Sequence, residues 1–350
     1  MMGEAVTISF KVVEPMMFRG PGEFDPFVRG AYSRGASLAL PLPSTIAGVL
    51  ATYGISKLGR PVPSSGDWIE QYLEVLGKDV RIRGALIRLN NELMAEDRLS
   101  RGFLNMEKVR EKCEIVWRRL GRSCREECRE GEFEPSVKIK KSVRVGIMLE
   151  TRGKVSVKRA REGFLYGAEY VDYVGATAGS RSLSVEIVAE VRGGIAESLS
   201  PAQKLPIRFG GEGRIALLSF RKGGEILDGV VKQLWSNRTD HHGVLALYLA
   251  TPALFETGKS VKERLNEWIK DLGRRARDVK LIGLSGESSV LGTGFMLKER
   301  RRKPIYISLD PGSIIFLEGD FSLPEIYQEG VGVASMLGYG TVIPVPMSHY

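Results

Sequence analysis

Residues 253–260 read ALFETGKS, an apolar run, one glycine and then Lys259-Ser260, the ending a phosphate-binding loop uses where it joins a strand to a helix. Asp310, at the end of PIYISLD, could supply the carboxylate that holds magnesium. Only Gly258 stands where a phosphate cradle needs several bare backbone N–H groups, and Glu256 would set a negative charge beside the phosphates. The same letters describe a helix start: Ser260 with Glu263 three residues on makes a capping box, and Gly258 is the turn before it. A single helix follows, where a nucleotide hydrolase would continue through several βα units. Nucleotide binding through this loop is therefore the lesser alternative.

His241 and His242 in NRTDHHG, beside Asp240, are the next residues with chemistry to offer. A loop histidine titrates near neutrality and could act as general base for RNA cleavage through a 2′-hydroxyl. Adjacent histidines point in different directions, and no carboxylates stand at helical spacing to them, so solvated loop residues are the plainer reading. Cys113, Cys124 and Cys128 are an odd number, which fits a reducing compartment better than a disulfide framework. Cys113 falls on the apolar stripe Met106, Val109, Cys113, Val116, Trp117, Leu120 and reads as core. Cys124 and Cys128 lie one helical turn apart with no second pair at zinc-finger spacing, so neither a metal nor a cofactor is expected.

The densest chemistry is cationic. The chain carries a formal charge of +9 with a pI near 9.4. Residues 138–161, KIKKSVRVGIMLETRGKVSVKRAR, hold nine Lys or Arg against one acid, Glu150, so nearly all of the excess sits in one short segment. A solvated charged face normally interleaves acids, and here they are missing. Phe164, Tyr166, Tyr170 and Tyr173 follow at once. Cations that can displace counterions from a phosphate backbone, next to rings on which bases can stack, point to nucleic acid. Lys138, Lys140, Lys141, Arg144, Lys154, Lys158, Arg159 and Arg161 are the candidate contacts. The glycine-rich loop RGPGEFDPFVRGAYSRG adds Arg19, Arg29 and Arg34 and leads to a helix start at Ser44 and Thr45, where orphan N–H groups could take a phosphate.

The elements that must position these residues follow from periodicity. AVTISFKVV alternates as a first strand, and PSTIAGVLATYGIS is helical, with Ser44 or Thr45 as cap. DWIEQYLEVLG is a second helix, from Asp67 to Gly77, and VRIRGALIRL is a strand with a charged outer face. A charged helical insert covers about 100–132. The basic segment has period two, Val143, Val145, Ile147 and Leu149 against Val155 and Val157 across ETRGK, and so forms a β-hairpin, with its continuation spanning about 137–174. The pattern restarts near Pro201, which sets two domains, 1–200 and 201–350, each large enough for its own core. Strands outnumber helices in both halves without the spacing of a doubly wound sheet, so the class is α+β, of ferredoxin-like or RNA-recognition type. No apolar run approaches the roughly 20 residues of a membrane helix, and the N-terminus lacks signal-peptide character, so a cytoplasmic protein with no membrane partner is expected. In GVGVASMLGYGTVIPVP, residues 330–346, four glycines imply backbone held bare for close approach, read here as approach by RNA phosphates to Gly338, Tyr339 and Gly340.

The order EPMMFRG (14–20), RGASLALPLPSTIAGVL (34–50), RFGGEGR (208–214) and terminal GYGTVIPV (338–345) resembles the RAMP superfamily of CRISPR proteins, and more narrowly the third-subunit family of the type III-B Cmr effector complex. That resemblance implies two ferredoxin-like domains with a projecting β-hairpin thumb. It implies a non-catalytic subunit, not an enzyme, that binds the 5′ repeat-derived tag of crRNA in antiviral defence. Implied partners are the large polymerase-like subunit and the neighbouring backbone RAMP subunit, with target RNA met indirectly. By the same resemblance Arg19, Ser44 and Thr45 fall in the first-loop motif, residues 138–161 in the thumb, Arg214 in the glycine motif and Gly338 to Gly340 in the terminal loop. The alternative within the superfamily is a metal-independent endoribonuclease that processes precursor crRNA.

Overall fold

The structure is a computed structural model that describes residues 4–20, 34–63, 66–121, 133–152, 155–173, 184–200, 204–236, 238–272, 276–296 and 301–347. Arg29, Lys154, Cys124 and Cys128 lie outside the described residues, as do the side chains of Arg34, Lys158, Arg159 and Arg161. Mixed α and β elements form antiparallel sheets in both halves.

The strand Val6–Val12 is central: Val6, Ile8, Phe10 and Val12 line its core face, with Ile8 and Phe10 fully buried, and Thr7 and Ser9 are buried on the other face. It pairs antiparallel with Val185–Arg192 on one edge and Ile215–Lys222 on the other. The complete sheet has eight strands, in the order Leu205–Arg208, Ile215–Lys222, Val6–Val12, Val185–Arg192, Arg81–Leu89, Glu92–Asp97, Gly102–Asn105, Val137–Lys138. It therefore runs past residue 200. Of the two strands after that position, Ile215–Lys222 pairs with the first strand of the chain, a long-range pairing that no local pattern announces, and Leu205–Arg208 pairs with Ile215–Lys222 at the sheet edge.

Helices Pro43–Leu58 and Trp68–Leu76 belong to the core cluster on one face of this sheet. The first has Leu42 as its cap residue, without a side-chain cap, which corrects the expectation for Ser44 and Thr45. Pro43 takes the first helical position, where its missing N–H costs nothing and its φ is already helical, so Ser44 and Thr45 fall inside the first turn. Asp67 caps the second helix by accepting from the Ile69 N–H at 3.0 Å. Of the expected helical insert, Gly102–Asn105 is instead a strand of the sheet; the helix Met106–Leu120 buries Met106, Val109 and Cys113, packs Trp117 against Phe316 at 5.3 Å between ring centroids, and leaves Leu120 exposed at its end.

The second half centres on four strands in the order Ala276–Ser285, Ile314–Ser322, Asp240–Leu249, Val342–Pro346, all antiparallel. A three-stranded sheet, Ala253–Phe255, Ile305–Leu309 and Ser288–Gly292, leans back on the first half: Leu254, Leu291 and Tyr306 belong to the N-terminal core cluster. Among the described residues no helix is long and apolar enough to cross a membrane.

Candidate nucleic-acid interface

The basic segment is a hairpin of two long strands, Lys141–Arg152 and Val155–Val171. Lys138, Lys140, Lys141 and Arg144 are exposed, and so are Val143 and Val145, at 48% and 67%. The root is anchored with care. Lys141 Nζ donates to the Ser37 carbonyl at 2.6 Å and pairs with Glu169 at 3.2 Å. The guanidiniums of Arg144 and Arg214 lie 5.1 and 4.5 Å from the centroid of the Tyr170 ring, a cation–π arrangement that fixes both in direction.

Arg214 is thereby assigned. Its Nη1 donates to Glu14 at 2.6 Å, and the same carboxylate accepts from the Ile215 N–H at 2.9 Å. That backbone donor, then Arg214, hold the Glu14 carboxyl below its usual range. Hydrogen bonding with Tyr170 and Glu14 raises the Arg214 pKa in turn. Arg214 supports the hairpin root from below, and the exposed cations stand above it.

Three separated stretches of sequence meet at this root. The strand Phe18–Arg19 pairs with Ser37–Leu38, and Arg34–Gly35 pairs parallel to Gly167–Ala168 of the hairpin. The Gly211 N–H donates to the Met17 carbonyl at 2.7 Å. At Gly210, φ is +83° and a Cβ would stand 2.5 Å from that same carbonyl, so the turn accepts only glycine. Phe209 stacks on Phe10 at 4.2 Å and meets Phe18 edge-on. Arg19 is exposed above this junction; partial burial, and next the nearby Arg302, hold its pKa below the usual value.

The terminal glycines take a different role from the one expected. Gly338, Tyr339 and Gly340 are buried, and the groups that approach their backbone belong to the protein. A Cβ on Gly340 would lie 1.8 Å from the Val331 carbonyl oxygen, and one on Gly338 3.1 Å from the Gly84 carbonyl. Tyr339 donates its hydroxyl to Ser44 Oγ at 3.0 Å, and Tyr72 donates to the Ser44 carbonyl at 3.2 Å. Arg83, 1% exposed, donates to the carbonyls of Tyr327 and Ser335, both at 2.7 Å. This is a seam between the halves, and Ser44 faces it. The close approach that glycine permits was legible; its source was not, because burial by a distant segment leaves no local trace.

The alternative sites have equally plain geometry. His241 and His242 lie in the strand Asp240–Leu249, not in a loop. His241 Nε2 bonds the Val244 carbonyl at 2.7 Å, and His242 Nδ1 meets Asp320, its cross-strand partner, at 2.8 Å. Ser260 and Glu263 form the reciprocal capping box. Lys259 pairs with Glu267 of the helix that follows it, and Asp310 pairs with Arg98 at 2.7 Å. Among the described residues no group of three His, Cys, Asp or Glu could hold a metal.

Sequence reasoning passed over a second cationic stretch, Lys298 to Lys303 in KERRRK, although its signal is as plain as that of the hairpin. It also passed over the buried pair of Lys112 with Asp97, 2.9 Å apart.

The family model described as CRISPR-associated protein (Cas_Cmr3) matches residues 115–345. A curated relative, the CRISPR system CMR subunit Cmr3 of Saccharolobus solfataricus, is 36% identical over 87 residues, or 25% of this chain; the match spans 26% of that relative's length. Among solved structures, the chain is similar to a chain of the type III-B Cmr-beta complex bound to cognate target RNA, with TM-score 0.58 and 20% identity over 96% of both chains. A second match, in that complex bound to cognate target RNA and AMPPnP, has TM-score 0.56 and 20% identity over 89% of this chain and 86% of the other. At that identity the likeness speaks for the fold.

Proposed function

This chain belongs to the Cas_Cmr3 family of CRISPR-associated proteins of the type III-B effector complex, and we propose that it acts there as a non-catalytic RNA-binding and assembly subunit. Its ligand in this reading is the 5′ repeat-derived tag of crRNA, and its partners are the large polymerase-like subunit and the adjacent backbone subunit, in the cytoplasm.

The observation that carries the reading is the convergence at the hairpin root. Three segments far apart in sequence are sewn together, by Arg19 with Ser37, Arg34 with Gly167 and Gly211 with Met17, beneath the exposed cations Lys138, Lys140, Lys141 and Arg144. A surface built at that cost in ordering, with its supporting arginine fixed by Glu14 and Tyr170, suits a ligand whose phosphates take Lys and Arg from one side. Exposed Val143 and Val145 on the same strand suit a neighbouring subunit.

The strand orders support the finer fold reading. Taking the principal strands of each half in chain order as one to four, both sheets contain the order four, one, three, two, all antiparallel, with a helix after the first and third strands. That is the ferredoxin-like arrangement. We read the chain as two such units, the first continuing to Lys222 by strand pairing, with the hairpin as thumb.

The test is guide-RNA binding by the full chain against salt. Arg144→Glu, and the triple reversal of Lys154, Lys158 and Arg159, should weaken binding and flatten its salt dependence. Affinity and slope unchanged in both variants would refute the thumb assignment. Site-specific cutting of precursor repeat RNA in chelator, lost in His241→Ala, would replace it with the endoribonuclease reading.

A further inference from the structure

The hairpin Phe295–Met296 with Arg301–Arg302 carries a charge density that the thumb reading does not use. Residues 298–303 hold five Lys or Arg and one acid, Glu299. The base of this hairpin is closed by Phe295 opposite Arg302 and by the Lys303 N–H donating to the Gly294 carbonyl at 2.9 Å. Lys303 then turns inward. Its ammonium stands 5.0 Å from the Trp68 ring and 5.3 Å from the Tyr72 ring, half-buried on the helix Trp68–Leu76. Desolvation there lowers its pKa, with Asp67 acting against it. Trp68 in turn donates its indole N–H to the Tyr306 hydroxyl at 3.1 Å and packs edge-on to Tyr72, Tyr306 and Tyr339.

One lysine of the run is thus withdrawn into an aromatic cage, and the cage fastens the foot of the hairpin to the first half of the molecule. Cation–π contacts of this kind, partly desolvated, orient the short hairpin. Arg302 is left exposed at that foot. It lies near Arg19, and Arg19 pairs across the short sheet with Ser37, whose carbonyl accepts from Lys141 at the thumb root. The links are continuous: Arg302, Arg19, Ser37, Lys141, with Arg144 and Lys140 beyond.

We propose that the foot of this second hairpin is a further RNA-binding point, and that Arg302 with Arg19 extends the thumb surface into one cationic strip that crosses both halves and follows a single-stranded RNA backbone. The inference rests on the RNA-binding reading above. Arginine suits the role because its planar fork pairs two donors with one phosphate, and because a flexible strand needs only a track of such forks. Lys303 is a positioning residue, since it acts by holding the foot of the hairpin.

The test uses the full chain and a fluorescently labelled single-stranded RNA carrying the host repeat-derived sequence at its 5′ end, with affinity measured across a salt series. Replacing Arg302 by Gln should reduce affinity about 5-fold at 0.1 M salt and lower the salt slope by about 0.7, as one lost phosphate contact requires. Melting should be unchanged. Lys303→Met should give a smaller loss of the same kind, and Lys303→Arg should restore it. If Arg302→Gln binds like the parent while Arg144→Gln is weakened, the second contact is refuted and the thumb reading stands. Should neither variant lose affinity, both readings fall. Intact RNA binding with lost co-purification of the other complex subunits would assign the strip to an acidic protein surface and overturn the RNA occupant.

Discussion

Gly340→Ala separates a structural glycine from one kept bare for RNA. The residue sits at φ +59°, where any L side chain costs about 1–2 kcal/mol. The added Cβ would fall 1.8 Å from the Val331 carbonyl oxygen, a backbone atom with no rotamer to change, so the chain must shift. Such overpacking costs a further 1–3 kcal/mol or so. It also strains two buried hydrogen bonds, Val331 N–H to the Gly340 carbonyl at 2.8 Å and Gly340 N–H to the Pro252 carbonyl at 2.7 Å. The expected loss is about 4 kcal/mol. With an unfolding entropy of about 2.1 cal/mol/K per residue, that lowers the melting temperature by about 5 °C if all 350 residues melt together. Gly258→Ala is the control: its φ is +96° but a Cβ there meets nothing within 4 Å, so only the backbone strain remains, about 1.5–2.5 °C. Differential scanning calorimetry on the two variants, with guide-RNA affinity measured below both transitions, decides the matter. Equal melting of the two variants, with affinity lost only in Gly340→Ala, would refute the seam argument and return the loop to the RNA.

Other perturbations have equally direct readouts. Lys112 Nζ lies 2.9 Å from both Asp97 oxygens and from the Gly312 carbonyl; Lys112→Met strands a buried carboxylate and should cost about 3–5 kcal/mol in urea unfolding, with part recovered by adding Asp97→Asn. Arg83→Met removes the donor shared by the Tyr327 and Ser335 carbonyls and should cost about 3 kcal/mol, seen also as faster amide exchange in residues 327–340. Burial, with Asp310 and Asp97 reinforcing it against Arg98, pushes the Glu96 carboxyl up to about 7 from 4.5. The native state keeps a proton that the unfolded chain releases, so this group's stabilisation is complete below about pH 4.5 and is lost as pH rises to about 7. Glu96→Gln should therefore flatten stability against pH across that window and melt higher than the parent at pH 8.

Elements whose identity is written within one or two turns of chain were legible. The start of the stripe of the helix Met106–Leu120, the Asp67 cap, the Ser260 capping box and the two-residue period of the basic hairpin stand as the sequence pattern requires; Leu120, at the stripe's end, is exposed. What escaped was set by partners far away in sequence. Ser44 and Thr45 have the right chemistry for a cap, yet Pro43 ahead of them starts the helix first. His241 and His242 follow polar residues and so resembled a loop, but pairing with Phe321 and Asp320 extends the strand over them. The strands Leu205–Arg208 and Ile215–Lys222 join a sheet whose first strand lies some 200 residues earlier, which the Pro201 break conceals. At the candidate interface, charge density identified the exposed cations. The same criterion named Arg214, whose supporting role follows only from Glu14 and Tyr170, and passed over Arg302.

The seam also governs the order in which the molecule can assemble. Tyr339 reaches Ser44 across 295 positions of sequence, and Arg83 reaches the Ser335 carbonyl across 252. Closing a loop of that length costs about 2 kcal/mol more than closing one a tenth as long, and contacts of such separation form slowly. The N-terminal sheet itself needs pairings some 200 residues apart, and the seam needs both sheets in place, so docking of the glycine loop is expected to be the last kinetic step. Until it occurs, Tyr339 and the aromatic face of Trp68 remain in water as adhesive surface. A chain held at that stage would be a target for chaperones and proteases, and refolding monitored by Trp68 burial should show a slow phase that follows recovery of the strands.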